Sequence, residues 1–157
     1  MAPKLLSSRF CLLLLLGLMG IVGSSHAKPS HVTWAQWFNI QHVNMTHSRC
    51  DDAMQVVNGY EKRCKNLNTF LHTNFSSVVS VCNTQNITCN NGRMNCHEST
   101  EQVPLTICNI TRHSTNYRNC TYRQTQAQKR YIIACNNSAP QDAEYPAMVP
   151  VHLDRLT

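Results

Sequence analysis

In Cys64-Lys65-Asn66-Leu67-Asn68-Thr69-Phe70 a lone lysine directly follows a cysteine. If the cysteine is in a disulfide, the ammonium is held in place beside Asn66, Asn68 and Thr69, whose side chains can all hydrogen-bond. That combination suits a charged, base-bearing ligand. On its own it is weak evidence, because a lysine beside a disulfide is most often solvated. Two histidines change the balance. Gln41-His42 closes an apolar helical pattern near the start of the chain, and His152 lies in Val149-Pro150-Val151-His152-Leu153-Asp154 near its end. One imidazole can take a proton while the other gives one, and a lysine can stabilise charge growing on phosphoryl oxygens. Residues i and i+2 of a strand share a face, so Asp154 can orient the His152 ring and set its tautomer. A histidine on an apolar face is usually a packed core residue, so the argument rests on the pair and the lysine together. The chain has no H-E-x-x-H motif, carboxylate cluster or P-loop. Metal-assisted hydrolysis and nucleoside triphosphate hydrolysis are therefore not indicated.

These residues need elements to hold them. Val32 to Val43 reads as a helix capped by Thr33, with Trp34, Phe38 and His42 on one face. Arg49 to Tyr60 reads as a second helix, with Asp51 and Asp52 in its first turn and Gly59 at its end. Asn74 to Cys82 fits a third, through Phe75, Val78, Val79 and Cys82. Asn, Thr, Ser and Gly are dense from Cys82 to Asn95, which marks loops. Strands are predicted at Cys64–Phe70, Val103–Thr111, Cys120–Gln124, Lys129–Cys135 and Met148–Leu153, with a polar turn at Pro140–Pro146. Three early helices followed by antiparallel strands make one α+β domain.

The first residues set the compartment. Lys4 and Arg9 precede the apolar run Phe10 to Val22, and Ser25-His26-Ala27 supplies small residues for cleavage. This is a secretory signal peptide over residues 1–27, too short to span a membrane, and no later run replaces it, so no transmembrane anchor is expected. The formal net charge is +6, and loss of Lys4 and Arg9 lowers it. The remaining basic bias favours polyanions without identifying one. Of nine cysteines, Cys11 lies in the leader. The even set Cys50, Cys64, Cys82, Cys89, Cys96, Cys108, Cys120 and Cys135 reads as four disulfides whose pairing stays open. Zinc binding around Cys96-His97-Glu98 is the rival, but there is no C-x-x-C pair. Glycosylation sequons at Asn44, Asn74, Asn86, Asn109, Asn119 and Asn136 agree with secretion.

Taken together, Gln41-His42, Cys64 to Phe70, Asn95-Cys96-His97, Val149 to Asp154 and the cysteine order resemble the pancreatic-type (ribonuclease A) superfamily over essentially the whole mature chain. Trp34-Ala35-Gln36-Trp37-Phe38 and Val151-His152-Leu153-Asp154-Arg155 are most similar to its eosinophil branch. The resemblance implies a ribonuclease A-like fold, with three helices, a curved antiparallel sheet and a central cleft. It also implies the bridges Cys50–Cys108, Cys64–Cys120, Cys82–Cys135 and Cys89–Cys96. The implied activity is metal- and cofactor-free cleavage of single-stranded RNA, with His42, Lys65 and His152 catalytic. Gln41 would contact the phosphate. Asn68 and Thr69 would line the base site, with Thr69 reading a pyrimidine, Leu153 walling its pocket and Asn95 meeting the following base. Trp37 replaces a phosphate-binding lysine of pancreatic relatives. Asn136, a sequon, stands where relatives carry an acid. The family also implies a monomer, secretion with storage in granules, a role in host defence, and a cytosolic ribonuclease inhibitor as partner. The alternative is a non-catalytic chemoattractant or membrane-active protein acting through Arg49, Lys62, Arg63, Lys129 and Arg130.

Overall fold

The computed structural model describes residues 28–157, so the predicted leader lies outside the described residues. Helix α1 spans Trp34–His42 and starts with reciprocal capping. Thr33 Oγ1 accepts from Gln36 N (3.1 Å) while Gln36 Oε1 accepts from Thr33 N (2.9 Å), satisfying two amides that the helix leaves open. Helix α2 spans Cys50–Glu61. It runs through Gly59 instead of ending there, and Lys62 supplies the left-handed cap at φ 60°. Helix α3, Phe75–Val81, is capped by Asn74, whose side chain accepts from Ser77 N at 2.8 Å.

The strands form two three-stranded antiparallel sheets. In one, β3 (Val103–Arg112) lies between β1 (Leu67–Leu71) and β4 (Thr121–Lys129). In the other, β5 (Tyr131–Asn137) lies between β2 (Cys96–Glu98) and β6 (Met148–Leu156). The short β2 falls where loop ended in the sequence reading; polar side chains flank it, and only pairing with β5 makes it a strand. The fourth and sixth strands are longer than predicted. The outer half of β4, from Arg123 to Gln126, is exposed and polar, so it carries no hydrophobic pattern. Its partner β3 holds it in register.

The four disulfides are Cys50–Cys108, Cys64–Cys120, Cys82–Cys135 and Cys89–Cys96, the pairing that the family resemblance implied. The first three close long loops, where cross-linking restricts the unfolded chain most, at about 2–4 kcal/mol each. Around them sit three apolar clusters. One joins α1 and α2 to the first sheet through Trp37, Met54 and Phe70; another joins α1 and α3 to the second through Phe38, Val78 and Ile133; a smaller one surrounds the Cys89–Cys96 bridge with Ile132 and Ala134. Helix α1 therefore contributes to the first two, and packs on β1 and β6, both of which line the site.

The Pro140–Pro146 segment is more than a polar turn. Asp142 is buried in a short 3-10 turn, Pro140–Asp142. Its carboxylate accepts from Thr33 Oγ1 (2.9 Å) and Ala139 N (3.2 Å), tying the start of α1 to the turn before β6. Because removing a buried acceptor leaves its donors unsatisfied, Asp142→Ala should cost about 2–3 kcal/mol. Chemical denaturation should register that loss, with Asp142→Asn losing less.

Candidate active site

Where β1 meets α1, the strand register decides what is available. Ile110 N donates to Asn66 O (2.8 Å) and His72 N to Pro104 O (2.9 Å). The residues exchanging ladder bonds with β3 are therefore the even-numbered ones, 66 to 72. Thr69 falls between them, so its N–H and C=O point off the free edge of β1. The carbonyl is taken: His42 Nδ1 lies 2.8 Å from it. A carbonyl only accepts, so the proton must sit on Nδ1, leaving Nε2 with a lone pair.

His42 is buried, 5.1 Å from the Phe38 ring. Burial drives its pKa from 6.5 down to about 3, helped by the charges of Lys65 and His152 and opposed by the bond to Thr69. In the unfolded chain the ring would titrate near 6.5, so the unfolded state binds the extra proton between the two values. Stability from a neutral His42 is thus fully present above pH 6.5 and is lost as pH falls toward 3, on the order of 4–5 kcal/mol at most. Unfolding free energies at pH 7 and pH 4 should converge between the wild type and His42→Gln, the wild type losing more. Parallel losses would mean that the ring is not held neutral.

Lys65 lines the same cleft. Its ammonium donates to Gln41 Oε1 and Asn68 Oδ1, both at 2.9 Å. The Asn68 amide donates to Gln41 O at 2.8 Å, which locks the two acceptors together. Burial lowers the lysine pKa from 10.5 to about 8, with Glu61 pulling the other way. The backbone of Lys65 is held too. Its N–H donates to Asn58 Oδ1 (2.9 Å), its carbonyl accepts from Tyr122 Oη (2.6 Å), and Asn58 Nδ2 donates to that hydroxyl (3.0 Å). Asn58, on α2, and Tyr122, on β4, were not anticipated from sequence. Neither lies near a motif, and only folding brings them to the lysine beside the Cys64–Cys120 bridge.

His152 enters from β6, which carries irregularities in its pairing with β5 on both sides of it. Such bulges bend a strand and re-aim its side chains, and here residues 151 to 156 all reach the cleft wall. The imidazole is exposed, and its Nε2 is 3.6 Å from Asp154 Oδ1. The Asp154 carboxylate is itself almost fully buried, accepting from Arg155 Nη1 and from Asn90 N at 3.1 Å. It is a carboxylate held in place beside an exposed ring.

The cleft has a volume of about 1020 Å³, room for more than one nucleotide, and Gln41, His42, Lys65, Asn68, Thr69, His152 and Leu153 all line it. Asn95 is not among the lining residues; its amide donates to Cys135 O (3.1 Å) and Asn136 Oδ1 (3.0 Å). One sequence expectation does not hold. Trp34 does not share the buried face of Phe38 and His42: it is 45% exposed, while Ala35 and Trp37 in the same turn are the ones buried. Buried His97 has the ordinary structural role, with Nδ1 2.8 Å from Thr84 O. Among the described residues, the one cluster of metal-ligating atom types is Cys89, Cys96 and Asp154. Its two sulfurs are bonded to each other, so they are not thiolates, and a single carboxylate remains. Of the sequons, Asn44, Asn74, Asn86, Asn119 and Asn136 are exposed, while Asn109 is half-buried on the cleft wall. No described helix is long and apolar enough to cross a membrane. Compared with known families, residues 33–154 match the model of the family described as pancreatic ribonuclease.

Proposed function

The chain belongs to the pancreatic ribonuclease family, and from that premise we propose a secreted, metal-independent endoribonuclease that cuts single-stranded RNA on the 3′ side of a pyrimidine. The observation that carries this reading is the bond between His42 Nδ1 and the Thr69 carbonyl, which leaves Nε2 with a lone pair in the cleft that Lys65 also lines. In the proposed reaction Nε2 removes the proton of a ribose 2′-hydroxyl. That oxygen bonds to the adjacent phosphorus as the bond to the 5′-oxygen breaks, and protonated His152 gives the departing oxygen its proton. Lys65 stabilises the charge on the phosphoryl oxygens, and Gln41 both holds the ammonium and faces the phosphate. The products are a 2′,3′-cyclic phosphate and a free 5′-hydroxyl. Water then opens the ring with the histidine roles exchanged.

Base choice follows from the free edge of β1. The Thr69 amide donates to a pyrimidine carbonyl, and its hydroxyl either donates or accepts, so uracil and cytosine both fit. Leu153 and Ile107 wall the pocket. Asp154 aligns His152, its Oδ1 lying 3.6 Å from Nε2. Asn95, whose amide donates to Asn136 Oδ1, is the residue proposed to meet the second base. The leader, the disulfides and the sequons support secretion, and the motifs around Trp34 and His152 support a place in the eosinophil branch, with host defence as the biological setting. A membrane-active role is less well supported. Arg49, Arg63 and Arg130 lie 3.7 to 4.0 Å from Asp51, Glu61 and Glu98, which dilutes any cationic patch.

Cleavage of defined dinucleotides in the presence of a chelator tests the proposal. Uridylyl- and cytidylyl-adenosine should be cut through a cyclic phosphate, purine-first dinucleotides should be cut at least about 10²-fold more slowly, and the 2′-deoxy analogue should be inert. Cleavage of the deoxy analogue would sink the mechanism, because its nucleophile would be missing.

A further inference from the structure

Two tryptophans stand one turn apart on α1 and differ in exposure. Trp37 is 3% exposed and packs on Tyr60, with ring centroids 5.6 Å apart, and Tyr60 in turn stacks on His31 at 5.7 Å. Trp34 is 45% exposed, yet it lines the same cleft as His42 and His152. Packing explains the first ring; it does not explain the second. The setting of Trp34 is mixed in charge but mainly cationic. Lys28 Nζ is 6.0 Å from its centroid, and Arg63, Lys65 and Glu61 share the wall, with Arg63 Nε 3.8 Å from the Glu61 carboxylate. Residues 34 and 42 are separated by just over two helical turns, about 12 Å along α1. The ring is thus too far from the reacting phosphate to act on it, but it is within the groove through which a strand must continue.

We propose that Trp34 is a stacking platform for a nucleobase of single-stranded RNA outside the cleaved dinucleotide, with Lys28 and Arg63 attracting the adjoining backbone. An exposed aromatic ring in a basic groove binds bases of any identity, because every base has a π-face, and nearby cations add to the attraction. Trp34 therefore extends the site without adding sequence preference. This inference rests on the ribonuclease reading of the cleft.

The test compares kcat/KM on a dinucleotide and on a ten-residue oligouridylate ending in adenosine, for the mature wild type, Trp34→Ala and Trp34→Phe. The loss caused by Trp34→Ala should be about tenfold larger on the oligomer than on the dinucleotide, and Trp34→Phe should recover most of it. Equal losses on both substrates, or none on either, would overturn the proposal. A second measurement separates it from the catalytic reading: titration of the His152→Ala variant with a 2′-O-methyl oligouridylate, followed by tryptophan fluorescence. Quenching that disappears in the Trp34→Phe background supports the platform even if the dinucleotides are not cleaved. Quenching that persists there, or a binding constant unchanged by Trp34→Ala, counts against it.

Discussion

His152→Ala should lower turnover of a pyrimidine–adenosine dinucleotide by about 10³-fold, within the usual range for a general acid, with the unfolding midpoint almost unchanged. The two halves of that expectation have different origins. The activity loss follows from chemistry, since without the imidazolium the departing 5′-oxygen must leave as an alkoxide. The near-constant stability follows from geometry. The side chain is mostly exposed, and Asp154, 3.6 Å from the ring, keeps its bonds to Asn90 and Arg155 when the ring is gone. Activity and folding are therefore separable at this position, which is less true of buried His42. The pH profile of kcat/KM should be an asymmetric bell. In the free enzyme His42 stays neutral down to about pH 3, so the acid limb is displaced far from the ordinary histidine range. The basic limb falls as His152 loses its proton, and falls further as Lys65 is neutralised near pH 8. Wild-type activity in His152→Ala, or a symmetric bell centred on two unshifted histidines, would contradict the assignment.

Lys65→Met should lower turnover by about 10²- to 10³-fold and yet leave the protein as stable as the wild type at pH 7, or more so. The lysine titrates near 10.5 when unfolded and near 8 when folded. The fold thus disfavours its charged form, and the charge costs stability below pH 8, an effect relieved as pH rises from 8 to 10.5. The gap corresponds to about 3 kcal/mol at neutral pH. Methionine keeps the length of the stem and removes the buried charge, though it leaves Gln41 Oε1 and Asn68 Oδ1 without the ammonium. Urea denaturation at pH 7 and pH 10 checks the sign: any gain in the variant should shrink at the higher pH. A variant clearly less stable at pH 7 would mean that the ammonium is a structural anchor whose bonds outweigh its desolvation. The expected pattern, stability given up where charge is needed, is common in active sites.

These expectations show where sequence reasoning reaches. Thr33 and Gln36 three residues apart, Asn74 before an apolar helical period, and Lys65 after Cys64 are relationships within a single turn or step of chain. Such local relationships follow from backbone geometry whatever the rest of the chain does. The number of cysteines pointed to disulfides, but their pairing came from family likeness, because loop closure alone does not select partners. His42, Lys65 and His152 were recognisable together because their types suit one reaction, while Gln41, Asn68, Thr69 and Leu153 joined them through the family likeness.

What the tertiary structure decided depends on groups far apart in sequence. The β1–β3 register turned the Thr69 carbonyl off the strand edge, and that carbonyl chose the His42 tautomer. Asn58 and Tyr122 meet across 64 positions of chain to hold the backbone of one lysine. Asn95 was drawn to Asn136, and the first turn of α1 left Trp34 in the open while Trp37 was buried. Periodicity assigns a residue to a face, but exposure and proton affinity depend on what packs against that face, and this is settled only when distant strands find their register.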